Sequence, residues 1–79
     1  MAAGGGFVTS PVPLRPSTRA LFAREHLARA AELREAAAQG LRDAERQSDP
    51  WWRDEFTRAA EEDLQRAAHH EAVARRWMP

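Results

Sequence analysis

The sequence predicts an all-α chain: an antiparallel two-helix hairpin with an alanine-rich coiled-coil seam and an extended Pro-rich N-terminal arm. Three observations predict it. An Asp49-Pro50 step interrupts a long helix-forming stretch, alanine recurs at heptad spacing on both sides of that step, and Pro11, Pro13 and Pro16 crowd together before it.

Residues 1–16 read as a flexible glycine tail followed by the arm. Met1 to Gly6 is a run of small residues, and glycine loses more conformational freedom on ordering than any other residue. From Phe7 the three prolines favour a polyproline-like strand. Phe7, Val8, Val12 and Leu14 are its apolar pegs, placed to dock on the hairpin or on a neighbour.

Residues 17–79 form the hairpin, with a helix over 18–47, a turn at 48–49 and a second helix over 50–77. Ser17 is a residue type that caps a helix start. The residue before a proline is pushed out of the helical region, so Asp49 ends the first helix and caps the second. Pro50 suits the first helical position. Asp54 and Glu55 add negative charge near the positive end of the second helix dipole.

Heptad spacing on the first helix places Ala20, Leu27, Arg34 and Leu41 at a, and Ala23, Ala30, Ala37 and Ala44 at d. The second helix offers Ala60, Ala67 and Ala74 at a, and Phe56, Asp63, His70 and Trp77 at d. One antiparallel register opposes Leu41 to Phe56, Arg34 to Asp63, Leu27 to His70 and Ala20 to Trp77, with all-alanine layers between. Its midpoint falls at Ser48-Asp49, the turn found from the proline. A shift of one heptad sets Arg34 against His70 or against Phe56. Arg34 and Asp63 are therefore the expected register-setting pair, register being the best-attested use of a charge pair in a seam. Facing alanines let the two backbones approach toward the short end of the roughly 8 to 10 Å range for packed helices.

Beside that seam lies a second apolar row. It comprises Phe22, His26, Leu33 and Gly40 of the first helix with Trp52, Ala59 and Val73 of the second, and Trp77 at the open end. Two helices do not bury a seam and a flank at once, so a third surface is expected there: the arm, a second copy in a four-helix bundle, or another protein. Phe22, His26, Leu33, Trp52, Val73 and Trp77 are the expected partner-binding flank. Outside it, acid-then-arginine pairs four apart (Glu25 with Arg29, Asp49 with Arg53, Asp54 with Arg58, Glu62 with Arg66, Glu71 with Arg75) read as solvated faces.

Composition narrows the function. There is no cysteine, which excludes disulfides and thiolate metal sites. Twelve arginines balance twelve acidic residues, and the zero net charge argues against nonspecific nucleic-acid binding. No apolar run spans a bilayer, and no secretion signal opens the chain, so the cytoplasm, a virion or another large assembly is the expected location. The histidines lack the Glu-x-x-His and His-Glu-x-x-His spacings of metal sites, and no cofactor is expected. The serines occupy the arm and helix boundaries, the glycines of the tail lack the strand and lysine of a phosphate loop, and no nucleophile stands beside a base, so no catalytic residue is expected. Burial of His70 without a carboxylate partner would lower its pKa.

The expected function is a non-enzymatic protein-protein interaction or structural subunit of a larger bacterial or phage assembly. It would dock through the flank and the arm, with another protein or a second copy as partner. The alternative is a small dimeric regulator contacting nucleic acid through Arg15, Arg19, Arg75 and Arg76.

Overall fold

The computed structural model describes residues 16–78 of the chain, and the arm with Phe7, Val8, Val12 and Leu14 lies outside them. Helix α1 spans Pro16–Glu45 and helix α2 spans Pro50–Trp77, packed side by side as an antiparallel hairpin. Among the described residues there is no strand.

The local signals act as the sequence dictates, with small shifts. Asp49 is extended (φ −83°, ψ 120°), and its carboxylate accepts the Trp51 amide at 2.9 Å while Pro50 opens α2. The start of α1 differs from expectation: the helix begins at Pro16, so Ser17 lies within it rather than before it. Proline is pre-set for a first helical turn, and its missing amide is one that no helix start can satisfy internally. At the other end α1 stops at Glu45. The amides of Arg46 and Gln47 bond back three residues, to Asp43 and Ala44, which tightens the last turn and ends the ladder early.

Each helix C-terminus is then closed by an arginine of the other helix. Arg53 does not pair with Asp49; its guanidinium donates twice to the Gln47 carbonyl, at 2.8 and 3.2 Å. Arg19 donates to the Arg76 carbonyl at 3.2 Å and lies 5.5 Å from the Trp77 ring centroid. A cation is stabilised near the negative end of a helix dipole, where the last carbonyls lack partners within the helix.

The core consists of Leu33 with Ala23, Ala30, Ala37, Ala44, Ala60, Ala67 and Ala74. The alanine layers of the expected seam are therefore real, but α1 is rolled about its own axis. Leu27 and Leu41, assigned to the seam, are exposed, and Leu33, assigned to the flank, is buried at 7% exposure. His26 and Gly40 turn inward with Leu33. As a result His70 faces His26 instead of Leu27, and Phe22 packs edge-on against Trp77 with centroids 5.2 Å apart. The roll lets the Phe22/His26/Leu33 row of α1 meet the His70/Trp77 row of α2, which Leu27 and Ala20 alone would have covered poorly.

Gly40 marks the close approach. A Cβ at this position would stand 3.5 Å from the Ala60 Cβ and 3.9 Å from the Phe56 carbonyl oxygen, ordinary contact distances. Glycine inside a helix costs about 0.8–1 kcal/mol relative to alanine. Gly40→Ala is expected to raise unfolding free energy by about 0.5–1 kcal/mol in a urea titration; a loss of stability would mean that the helices sit closer than this.

Candidate interaction surface

The roll of α1 also decides the charge pairs. Arg34 does not reach Asp63; its Nε donates to the Glu71 carboxylate at 3.1 Å, and the two groups form a half-exposed ion pair across the hairpin. Asp63 instead accepts from Arg66 on its own helix at 3.2 Å. With α1 turned, Arg34 stands on one flank while Asp63 belongs to the other. The Arg34 hydrogen bond holds the Glu71 carboxyl below its ordinary range, and the same bond raises the arginine.

The remaining ion pairs lie three apart, not four. Arg29 bonds Glu32, Arg46 bonds Asp43, Arg58 bonds Glu55 and Arg66 bonds Asp63. Exposed pairs of this kind contribute about 0–1 kcal/mol each, so their spacing is decided by side-chain reach and not by any need of the fold. Their consequence is electrostatic: the charges of these four arginines are offset where they stand.

Two flanks with different character result. The first is the expected partner-binding row, and much of it is satisfied internally. Phe22, His26, Val73 and Trp77 are half-buried, Leu33 is buried, and of these six residues Trp52 alone stays exposed. The second carries Leu27 and Leu41, which the heptad had placed inside, together with Leu64 and Met78, which it had not. Leu27 and Leu41 of α1 are each 39% exposed, Leu64 of α2 37% and Met78 43%. Leu27 and Leu41 stand one heptad either side of Arg34, and Leu64 and Met78 one heptad either side of Glu71. The Phe22–Trp77, His26–His70 and Gly40–Ala60 contacts set Arg34 level with Leu64 and Leu27 level with Glu71, so the Arg34 and Glu71 side chains reach along the hairpin to meet. Leu41 and Leu64 lie on the turn side of this ion pair, and Leu27 and Met78 on its open side. Heptad spacing set Leu27 and Leu41 in the seam and Leu33 beside it, but all three lie within one broad apolar stripe of α1, so either side of that stripe could turn inward.

The tip is the third exposed apolar feature. Trp51 and Trp52 are 58% and 48% exposed and meet edge-to-face at 4.7 Å, with Phe56 6.0 Å beyond Trp52. A shallow groove of about 170 Å³ runs from this end between Gly40, Ala36, Phe56 and Ala59, with Asp43 and Asp63 at its margins.

On the first flank His26 and His70 approach with Nδ1 to Nδ1 at 2.9 Å. One ring must hold its proton on Nδ1 and donate while the other accepts, so two imidazolium rings cannot share this bond. Burial, then the His26, His69 and Arg29 charges, push the His70 pKa below its ordinary value. The unfolded chain therefore takes up the proton more readily, and the His70 contribution to stability is complete above about pH 6.5 and lost as pH falls through the lower folded value. The urea midpoint is expected to fall between pH 7.5 and pH 5, and His70→Gln to flatten that dependence; an equal fall in the variant would assign it to other groups. No group of three or more histidine, aspartate or glutamate side chains is gathered in metal-binding geometry among the described residues, and no described helix is long and apolar enough to cross a membrane.

No protein-family model, no curated protein and no solved structure matches the chain.

Proposed function

We propose that the chain is a non-enzymatic interaction module, a structural subunit whose helical hairpin docks on protein through the Leu27/Leu41/Leu64/Met78 flank and the Trp51/Trp52 tip. One observation carries this reading: the core is alanine with a single leucine, while the larger apolar side chains stand outside it. A stable domain buries its large apolar residues first, because hydrophobic stabilisation scales with the area removed from water. A hairpin with this distribution gains by covering its outer leucines on another surface. Tryptophan at an exposed tip has the character of an interface anchor. Of the flank expected from sequence, Trp52 is retained in this reading and Leu33 is removed, being already buried.

A photo-crosslinking side chain at Leu41 tests it in the native host. A discrete crosslinked species is expected at Leu41 and none at Gln65, an exposed position on the outer side of α2. In parallel, Leu41→Gln with Leu64→Gln is expected to remove that species while changing the stability of the dilute hairpin by no more than about 0.5 kcal/mol, as for other surface substitutions. Absence of any crosslink at Leu41, or loss of helix content in the double variant, would overturn the reading.

A further inference from the structure

We infer that His26 and His70 form a chelating site for a divalent transition-metal ion, copper(II) before others, which clips α1 to α2. The meeting of the two rings across the hairpin carries this. Their Nδ1 atoms stand 2.9 Å apart although the residues are 44 apart in sequence, and both residues are half-buried.

A metal-imidazole bond is about 2.0–2.1 Å long. Two such nitrogens lie about 2.9 Å apart when they subtend a right angle at the ion, and about 3.3 Å apart at the tetrahedral angle. The observed spacing is that of neighbouring corners in a tetragonal site, the geometry that copper(II) and nickel(II) take with nitrogen and oxygen ligands. Of the divalent first-row ions, copper(II) binds a given site most tightly, and imidazole suits it.

Without an ion one ring donates its Nδ1 proton to the other. To bind one, that ring carries its proton on Nε2 instead, so both rings present an Nδ1 lone pair and the neutral pair neither gains nor loses a proton. Rotation about the outer side-chain torsion, which is broad in histidine, turns the two lone pairs toward one point. Half-burial leaves the other corners to water. The surroundings keep the pair in its ligand form: burial, with the His26, His69 and Arg29 charges, lowers the His70 pKa, and only a neutral ring binds metal. Arg29, the permanent cation among these groups, is itself held by Glu32 at 3.0 Å.

Motifs such as His-Glu-x-x-His gather their ligands on one helix. These two come from opposite helices and meet only through the roll of α1, so no spacing in the sequence marks them. The site has a structural use. A hairpin whose core is alanine with a single leucine has little apolar burial to hold it, and a bound ion is one of the staples by which small domains make up that shortfall. The folded chain holds both rings in place and the unfolded chain does not, so binding adds to stability.

The test is titration of the full chain with copper(II) sulfate in a non-coordinating buffer at about pH 7.5, above the ordinary histidine pKa, read by calorimetry and by the urea midpoint. One ion per chain is expected, with a midpoint that rises as copper is added. His26→Gln and His70→Gln are each expected to weaken binding about a hundredfold, the loss of one of two tethered ligands, and to abolish the rise. His69→Gln, at an exposed position, is expected to keep both. Electron paramagnetic resonance of the wild-type complex is expected to give an axial spectrum with two imidazole nitrogens coupled to the copper, a readout that needs no variant to fold.

A midpoint unmoved by copper overturns the site, since an ion held by one histidine or by groups that stay together on unfolding favours neither state. Binding retained in His26→Gln or His70→Gln, an equal loss in His69→Gln, or coupling to fewer than two imidazole nitrogens overturns it as well.

Discussion

Leu33→Ala is expected to lower the stability of the hairpin by about 2–3 kcal/mol, the lower part of the range for deleting a buried leucine, since a two-helix core can partly collapse around the loss. Leu33 is the one core side chain larger than alanine among the described residues, and it packs on Ala30 and Ala67. For a domain of this size, whose total stability is only a few kcal/mol, that loss is a large share of the whole. The matched control is Leu27→Ala. Leu27 is the residue that heptad spacing places inside, yet it is 39% exposed, and its truncation is expected to cost under about 1 kcal/mol when the chain is dilute. Urea titrations of the two variants at low protein concentration decide the roll of α1. Equal losses, or a larger loss for Leu27, would put the seam back where the heptad set it. The same comparison bears on docking: a polar residue at Leu33 is expected to unfold the chain rather than separate it from a partner.

Ala67→Leu is expected to cost about 1–3 kcal/mol for the opposite reason. Ala67 has no exposed surface and lies against Ala30 and Leu33 in the layer that holds the helices together. Alanine and leucine differ little in helix propensity, so a loss reports packing alone. A leucine there must push the backbones apart or take a strained rotamer, and separation would weaken the Ala37/Ala60 and Ala23/Ala74 layers as well. Ala68→Leu, one residue on and exposed, is the control and is expected to change stability by less than about 0.5 kcal/mol. If Ala67→Leu proved as stable as wild type, the close packing of Ala30, Leu33 and Ala67 would not be a constraint on the fold. Helix content by circular dichroism and the urea midpoint, measured on one sample, separate widening of the seam from loss of α2.

The turn was legible because its causes are local. Asp49 and Pro50 act on their own backbone and on the next two amides, and no distant residue is needed to make one a cap and the other a first helical residue. The alanine layers were legible because a heptad is a periodic signal that a pair of helices can satisfy in very few registers. The turn tryptophans, too, could be placed at the tip from their position beside Pro50.

Other features were decided between the helices. Helix α1 carries apolar residues on three adjacent heptad positions, through Leu27 and Leu41, the alanines, and Leu33 with His26. A seam only two positions wide takes the alanines and one neighbour, and sequence spacing gives both neighbours nearly equal claim. The choice fell to the side that sets Phe22 against Trp77 and His26 against His70, since burying those rings across the hairpin gains more than burying Leu27 and Leu41. Arg34 followed that roll. Its side chain is long enough to serve either Asp63 or Glu71, so spacing alone could nominate the wrong carboxylate, and only the rotation of the backbone beneath it selected Glu71.

Sequence by itself thus determined the hairpin, its turn and its alanine layers, through backbone restriction and periodicity, which act within a few residues. Tertiary structure alone decided which large residues lie inside, which pair of charges meets and therefore which flank is left apolar and open. Those outcomes depend on the rotation of one helix against another, a degree of freedom that no local signal restrains.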